Sequence, residues 1–394
     1  EHVYRNAFQE VNQQDLFQTI AKKTWTVTQR ARLPEMVGEA FRTALSPRRG
    51  PVVLNLPRDI LAETFDDPAK TAASVFPAMD FSSGGQMQIK LALETLAQAE
   101  RPLIIAGGGI KNAGAHNKAL RLAEALNAPI AMSPGHGDAV PYGHPLNAGQ
   151  VGPRGNVVAS ALAKEADVIV ALGTRLGFNT TFYSYDNINS AAKIIQVEVE
   201  PTAIGRFFPV EVGILGDAGS VADALAGQIE TARSNATMEC TADWTVGFQE
   251  KYVAYLAERD AKAHAVTGDT IQPVQVYKAM RATFPEDTMV TLDAGTLCLQ
   301  ATDALNYYRP PALFSPLDFG LVGFSYACGL GVKAACPERT VISLMGDGGF
   351  GMTTSEIGTA VSHGLNTVAI VMNNGCWGAE KAYQKDFFSG RYIG

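Results

Sequence analysis

Short apolar runs alternate along this chain with stretches whose apolar residues recur at helical spacing, the pattern of a layered α/β protein. Near the start, a helical stretch leads to a strand over residues 24–28, a long helix over 33–45 and an apolar run at 51–57. That run, Pro51-Val52-Val53-Leu54-Asn55-Leu56-Pro57, lies between Gly50 and a proline and lacks polar alternation, so it predicts a buried parallel strand. These elements, residues 1–65, predict part of a sheet rather than a whole domain. A polar stretch with Ala, Pro and Ser over 66–86 reads as a linker.

Between residues 87 and 230 the alternation becomes regular. Strands are predicted at 103–106, 129–132, 168–172 and 194–198, with a Gly107-Gly108-Gly109 turn and a helix over 115–126. This predicts a doubly wound, Rossmann-like central domain. Residues 231–269, polar and rich in charge, read as a second linker. The last segment, 270–394, opens with a helix over 273–283 and alternates again: strand 288–292, helix 326–336, strand 341–345, helix 354–363, strand 368–372. The expected architecture is three α/β domains with parallel sheets flanked by helices, the first and last incomplete. Both ends look cut, and the sequence is read as part of a longer polypeptide.

Composition narrows the function. A formal charge of −7 over 394 residues gives no basic field for nucleic acid or an anionic membrane. No apolar run approaches the roughly 20 residues of a membrane-spanning helix. Cysteines 240, 298, 328, 336 and 376 form no C-x-x-C pair, as expected of reduced thiols in a cytoplasmic protein. His136 and His144 flank Asp138 in a Gly/Pro-rich stretch, but their spacing matches no metal-binding pattern and they read as loop histidines. The Gly107-Gly108-Gly109 run lacks the G-x-G-x-x-G spacing of a dinucleotide fingerprint.

The chemistry sits near the end. The predicted strand 341–345 runs into Gly346-Asp347-Gly348-Gly349, and the strand 368–372 runs into Asn373-Asn374-Gly375. Each half alone is an ordinary turn. Paired across a 24-residue spacer, with a strand before each, they place Asp347 and Asn374 at the carboxyl ends of two strands, where open α/β sheets bind ligands. A carboxylate and an amide oxygen, completed by a backbone carbonyl and phosphate oxygens, suit Mg²⁺.

These residues resemble the metal motif of thiamine-diphosphate enzymes of the acetolactate synthase and decarboxylase family. The resemblance implies thiamine diphosphate with Mg²⁺ held by Asp347, Asn374 and the backbone oxygen of Cys376, whose thiol is incidental. It implies that Gly346, Asp347, Gly348, Gly349 and Asn374 bind the cofactor and that Asp293-Ala294-Gly295-Thr296 forms its diphosphate-side loop. Within Gly320-Leu321-Val322-Gly323-Phe324, Val322 would wedge under the cofactor and the Gly320 carbonyl would accept from its aminopyrimidine; without the family, Val322 reads as core. Ala7-Phe8-Gln9-Glu10-Val11 and residues 50–59 resemble the end of a pyrimidine-binding domain, with Phe8 and Gln9 facing a partner subunit's cofactor in a homodimer or homotetramer. The catalytic glutamate of the family would lie upstream, so this piece alone is expected to be inactive. His144-Pro145-Leu146 and Leu172-Gly173-Thr174-Arg175-Leu176 resemble the central domain, in which some relatives keep FAD or ADP; Arg154 or Arg175 would serve such a nucleotide.

After the metal motif, Trp377-Gly378-Ala379-Glu380-Lys381, then Gln384, Asp386, Phe387, Arg391 and Tyr392, are similar to the sulfoacetaldehyde acetyltransferase group. That similarity implies release of sulfite from sulfoacetaldehyde and transfer of an acetyl group to phosphate, with Lys381, Arg391 and Arg175 as candidate cations for the anions. The chain departs from the group at Asn373-Asn374-Gly375-Cys376, where His-Asn-Arg-Gln is usual, and at Gly349-Phe350, where Ala-Trp is usual. An acetolactate synthase-like carboligase or a 2-oxoacid decarboxylase is the alternative on the same machinery, and a non-catalytic subunit that keeps the fold is a third reading.

Overall fold

Every strand pairing among the described residues is parallel, which requires crossover connections and helices to cover the sheet faces. The computed structural model describes residues 5–64, 82–238, 242–265 and 270–393. Chain contacts divide it into two units, Glu1–Asp80 and Phe81–Gly394. Most of the linker expected over 66–86, and Cys240, lie outside the described residues.

In the first unit, β1 (Lys23–Thr26) pairs with β2 (Val52–Asn55) in the register Lys23↔Val52 to Thr26↔Asn55. The crossover helix Leu33–Leu45 has its predicted bounds, with Pro34 in its first turn and Met36 and Ala40 buried one turn apart on one face. The strand over 51–57 was expected to be buried, yet β2 is half-exposed along its length. A sheet of only two strands cannot be covered as a central strand is, so the apolar run correctly predicts a parallel strand but not its burial.

The second unit holds two sheets. The first has the order β5-β4-β3-β6-β7-β8, with β3 at Pro102–Ala106, β4 at Ile130–Met132, β5 at Asn147–Gln150, β6 at Val168–Leu172, β7 at Lys193–Glu198 and β8 at Val212–Leu215. Side chains alternate across it: Leu103, Ile105, Ile169 and Ile194 join one core with Leu162 and Phe248, while Ile104, Val170, Ile195 and Val197 join the other with Leu122 and Leu225. β5 and β8 were not predicted, since Asn147-Ala148-Gly149-Gln150 and Val212-Gly213-Ile214-Leu215 are short edge strands carrying glycine or amide residues. Gly108 and Gly109 open the helix Gly108–Ala113 rather than forming a turn alone.

The second sheet has the order β10-β9-β11-β12, with β9 at Met289–Leu292, β10 at Leu313–Phe314, β11 at Val341–Gly346 and β12 at Val368–Met372. Helix Pro273–Thr283, with a Gln272/Gln275 capping box, has its predicted bounds. The stretch read as the linker 231–269 contains the 24-residue helix Ala242–Ala265. Its aromatic residues Trp244, Phe248, Tyr252 and Tyr255 recur at helical spacing and pack on the first sheet's core. The Trp244 indole donates to the Pro102 carbonyl at 3.0 Å, and Arg259 donates to the Asp303 carbonyl at 2.7 Å, so this helix ties both sheets together. Its charged outer face concealed that stripe in the sequence.

Loops at the carboxyl edge of the first sheet touch backbone to backbone. Gly173 has φ +63°, and a Cβ there would stand 2.6 Å from Gly109 Cα. Gly173→Ala is expected to destabilise the protein by about 2 kcal/mol or more. Gly227, inside the helix Ala218–Ser234, has only the Arg121 guanidinium 3.8 Å from a new Cβ. Gly227→Ala is expected to raise stability by roughly 0.5–1 kcal/mol. Urea denaturation of the two variants should give midpoint shifts of opposite sign; equal signs refute this account.

Candidate active site

The ends of β9, β11 and β12 build the site. Register pairs Leu344 with Leu292 and Gly346 with Met372, so Asp293, Asp347 and Asn373 emerge side by side from one sheet edge. A helix starts close behind each: Thr296–Ala304 after Gly295, Asp347–Thr353 after Gly346, and Gly378–Phe387 after Trp377. The amides that open these helices make this edge favourable to negative charge.

Close contacts show that these loops meet. A Cβ on Gly378 would lie 3.0 Å from Asn374 Nδ2 and 3.3 Å from Thr296 Oγ1, and a Cβ on Gly348 would lie 3.1 Å from the Trp377 indole nitrogen. Thr296 and Asn374 therefore approach each other at Gly378, and Gly348 packs against Trp377, the residue before Gly378. Asn373 Oδ1 accepts from Gly375 N at 2.9 Å, and Asn374 Oδ1 accepts from Cys376 N at 3.2 Å. These two side-chain turns, with Gly375 at φ +65°, fold the loop back on itself. The Asp347 side chain is half-exposed and makes no hydrogen bond or ion pair among the described residues. A free carboxylate at one strand end and an exposed amide in the loop after the next are oxygen donors of the kind that fit Mg²⁺ bound together with phosphate oxygens. No cluster of three His, Cys, Asp or Glu side chains that could hold a metal occurs among the described residues.

Asp293 behaves differently from the rest of its loop. It is fully buried, and Oδ1 accepts from Ala294 N at 2.8 Å, Gly323 N at 2.9 Å and Phe324 N at 3.3 Å. The carboxylate thus turns inward and fastens Gly323, with φ +86°, to the end of β9. Gly349 is buried against it, where a Cβ would stand 2.1 Å from Asp293 Oδ2. Gly295 is exposed with φ +101°, while Gly320 is exposed with φ +73° and Val322 is half-buried on the segment that Asp293 anchors. The sequence marked Asp293 as part of a ligand loop; its side chain spends its acceptors on the protein, a role that needs the distant Gly323 and Phe324 amides to be seen.

Lys381 and Arg391 are both exposed. Gln384 bonds both the N–H and the carbonyl of Ile393, folding the tail onto the helix Gly378–Phe387, and Lys381 Nζ lies 5.8 Å from the Tyr392 ring. Arg175 is 3.6 Å from Asp318, and Arg154 lies over the Phe182 ring at 5.3 Å, so neither is an unengaged cation. Gly107 and Gly109 pack against the backbone of Gly173, which accounts for part of the glycine run without a nucleotide. His136 is packed against Gly108, and burial pushes its imidazole down to about 4. His144 approaches Glu124 at 3.1 Å, and Asp138 binds elsewhere, so these three do not form a metal site. In the first unit, Phe8 is 93% exposed and Gln9 has φ +61°. The four described cysteines are free, and no helix among the described residues is long and apolar enough to cross a membrane.

A parallel α/β sheet whose strand ends carry a free carboxylate, an amide and helix N-termini defines the class of α/β proteins with a candidate ligand site at the carboxyl edge of the sheet. Comparison with known proteins gives the particular family. The central domain of thiamine pyrophosphate enzymes matches residues 89–225, and their C-terminal TPP-binding domain matches residues 293–394. The chain belongs to the thiamine pyrophosphate (thiamine diphosphate) enzyme family. A sulfoacetaldehyde acetyltransferase of Alcaligenes xylosoxydans xylosoxydans is 34% identical, the match covering 98% of this chain and 66% of the relative. One from Castellaniella defragrans is 33% identical with the same coverages, 98% and 66%. The acetolactate synthase isozyme 3 large subunit of Escherichia coli (strain K12) is 29% identical, covering 98% of this chain and 67% of the relative. The chain thus spans 66% of the length of the two acetyltransferases.

Asp293 offers a test of this geometry. Burial, the larger influence, raises its pKa, opposed by the three backbone donors. Because the folded value is above the unfolded one, the folded state binds the proton more tightly. The contribution to stability is then greatest below the unfolded value of about 3.9 and is lost as pH rises through the folded value. The neutral variant Asp293→Asn should therefore gain stability relative to the parent as pH rises above about 4, read from urea denaturation. A difference that stays flat, or runs the other way, rules out this assignment.

Proposed function

We propose that the protein is a thiamine-diphosphate- and Mg²⁺-dependent acyltransferase or lyase that takes sulfoacetaldehyde and phosphate to acetyl phosphate and sulfite. The observation that carries the cofactor part is the unpartnered Asp347 carboxylate beside Asn374 at the ends of β11 and β12. The substrate part rests on the sulfoacetaldehyde acetyltransferases at 34% and 33% identity. In this reading residues 1–65 are the end of a pyrimidine-binding domain, 87–230 the central domain and 270–394 the diphosphate-binding domain, within a homodimer or homotetramer in the cytoplasm.

Asp347, Asn374 and the Cys376 carbonyl would hold Mg²⁺, while the Gly346–Gly349 turn and the Gly295–Thr296 helix start receive the diphosphate. Gly320 and Val322 would orient the two rings, Gly320 by its carbonyl and Val322 by its bulk. When bound, the cofactor supplies the electron sink on which carbon–carbon and carbon–sulfur bonds are rearranged. Lys381 and Arg391 meet the charges of sulfonate and phosphate at the exposed corner made by the folded tail. Phe8 and Gln9 would face the cofactor of a partner subunit. A nucleotide such as FAD or ADP in the central domain is a separate expectation, in which Arg175 would have to exchange Asp318 for a phosphate.

Asp347→Ala should weaken Mg²⁺-dependent cofactor binding by about a hundredfold, the upper end of what losing even a residue that only supports a metal ligand costs. Unchanged affinity by calorimetry refutes the metal assignment. In a polypeptide extended upstream through the whole pyrimidine-binding domain, phosphate-dependent release of sulfite from sulfoacetaldehyde is expected, and Lys381→Ala or Arg391→Ala should raise the KM for phosphate or sulfoacetaldehyde. Carbon dioxide release from pyruvate by a yellow, flavin-containing protein would instead support the acetolactate synthase-like alternative.

A further inference from the structure

One buried ion pair falls outside the proposed active site. Lys111, on the helix Gly108–Ala113 after β3, has its Nζ 2.7 Å from Asp138 Oδ1. Asp138 is fully buried, and Lys111 keeps only 17% of its side chain exposed. The contact is a charge pair rather than an aligned hydrogen bond, and the other carboxylate oxygen makes the directional bonds. Asp138 Oδ2 accepts from Ala312 N at 2.9 Å and Leu313 N at 3.0 Å, while Lys111 Nζ donates to the Leu313 carbonyl at 2.6 Å. Both backbone groups of Leu313 are thus gripped by opposite charges that come from the ends of the first sheet.

That grip continues along the chain. β10, at Leu313–Phe314, is an edge strand, and its unpaired side is what the ion pair covers. Further on, Leu317 lies 3.3 Å from where a Cβ of Gly135 would be. Asn179 Nδ2 reaches the Leu317 carbonyl and Asp318 Oδ1 at 3.4 Å each, and Arg175 reaches Asp318 at 3.6 Å. The next residues are Gly320, Val322 and Gly323, the last held from the other side by Asp293. Residues 312–323 are therefore strung between the first sheet and the end of β9.

We infer that Lys111 and Asp138 are positioning residues that hold the segment 312–323, and so set the seat for the ring half of the cofactor at Gly320 and Val322. This rests on the reading of Gly320 and Val322 proposed above. The diphosphate half of the site, at the ends of β11 and β12, makes no hydrogen bond or ion pair with Lys111 or Asp138 among the described residues and is expected to be independent of them. A buried charged pair suits such a task because either partner alone would be left uncompensated, so the arrangement has one stable state.

The test separates the two halves of the ligand. Thiamine diphosphate with Mg²⁺, and inorganic diphosphate with Mg²⁺, are titrated into the full chain by calorimetry, with Trp377 fluorescence as a second signal because its ring abuts Gly348. Lys111→Met should weaken thiamine diphosphate about tenfold or more while leaving Mg²⁺-diphosphate within about twofold, and Lys111→Arg should restore much of the loss. Asn179→Ala, at the outer end of the clamp, should give the same selective pattern at roughly threefold. It decides the matter if Lys111→Met does not fold. Parallel weakening of both ligands would mark a general loss of structure and overturn the inference, as would no weakening of either. If the parent binds neither ligand, the cofactor reading itself fails. The clamp is then judged by hydrogen exchange: faster exchange confined to 312–323 in Asn179→Ala supports it, and unchanged exchange there overturns it.

Discussion

Parallel pairing of β9, β11 and β12 is the constraint on which the site depends. Parallel strands share a direction, so their carboxyl ends fall on one edge, and the register Leu292–Leu344 and Gly346–Met372 brings those ends level. The core residues Val290, Leu292, Ile342 and Leu344 are at most 2% exposed. A slip of one residue would turn them away from that core, which fixes the register strongly. Stability and chemistry are thus coupled at the level of the sheet: the burial that sets the register also places Asp347 next to the Asn373-Asn374 turn.

At that edge the backbone passes close to its neighbours, at Gly349 closer than a side chain permits. Gly349 lies on the Asp293 carboxylate, Gly348 on the Trp377 indole and Gly378 on Asn374 and Thr296. The glycines of the motif therefore serve loop packing as well as ligand access, and the Gly-Asp-Gly pattern has two physical reasons instead of one. Asp293 shows the complementary solution. It is an acid buried without a cation among its hydrogen-bond partners, stabilised by backbone N–H donors, and it holds a left-handed Gly323 at the start of the next helix.

Much of this was legible in the chain. Helices 33–45 and 273–283 were read with their bounds because proline-led starts and apolar periodicity agree there. The strand-to-motif order around Asp347 and Asn374 was read for the same reason: buried parallel strands are continuous apolar runs, and glycine or asparagine ends them. What was missed depends on residues far apart in sequence. The helix Ala242–Ala265 carries its aromatic stripe in a charged background, so its partner surface on the first sheet cannot be inferred locally. Asp293 faces Gly323 thirty positions away, and Lys111 with Asp138 faces Leu313 some 200 positions from the lysine. Arg175 read as a free cation because Asp318 is remote in the chain.

The weakest strand explains why polar contacts between the two sheets of the second unit are so numerous. β10 has two residues, pairing Leu313 with Val290 and Phe314 with Thr291, too little to hold an edge by sheet bonding alone. Its exposed backbone would otherwise need water or a partner strand. Supplying a buried carboxylate and an ammonium group instead satisfies those groups within the protein and ties the edge to one place, since neither charge can leave without stranding the other. Gln150 adds a second tie, bonding Gly135 N and the Thr302 carbonyl at 2.9 and 2.7 Å. A segment that must present Gly320 and Val322 in a fixed attitude is best hung from such contacts, because apolar packing alone tolerates small shifts that directional bonds to a buried charge do not.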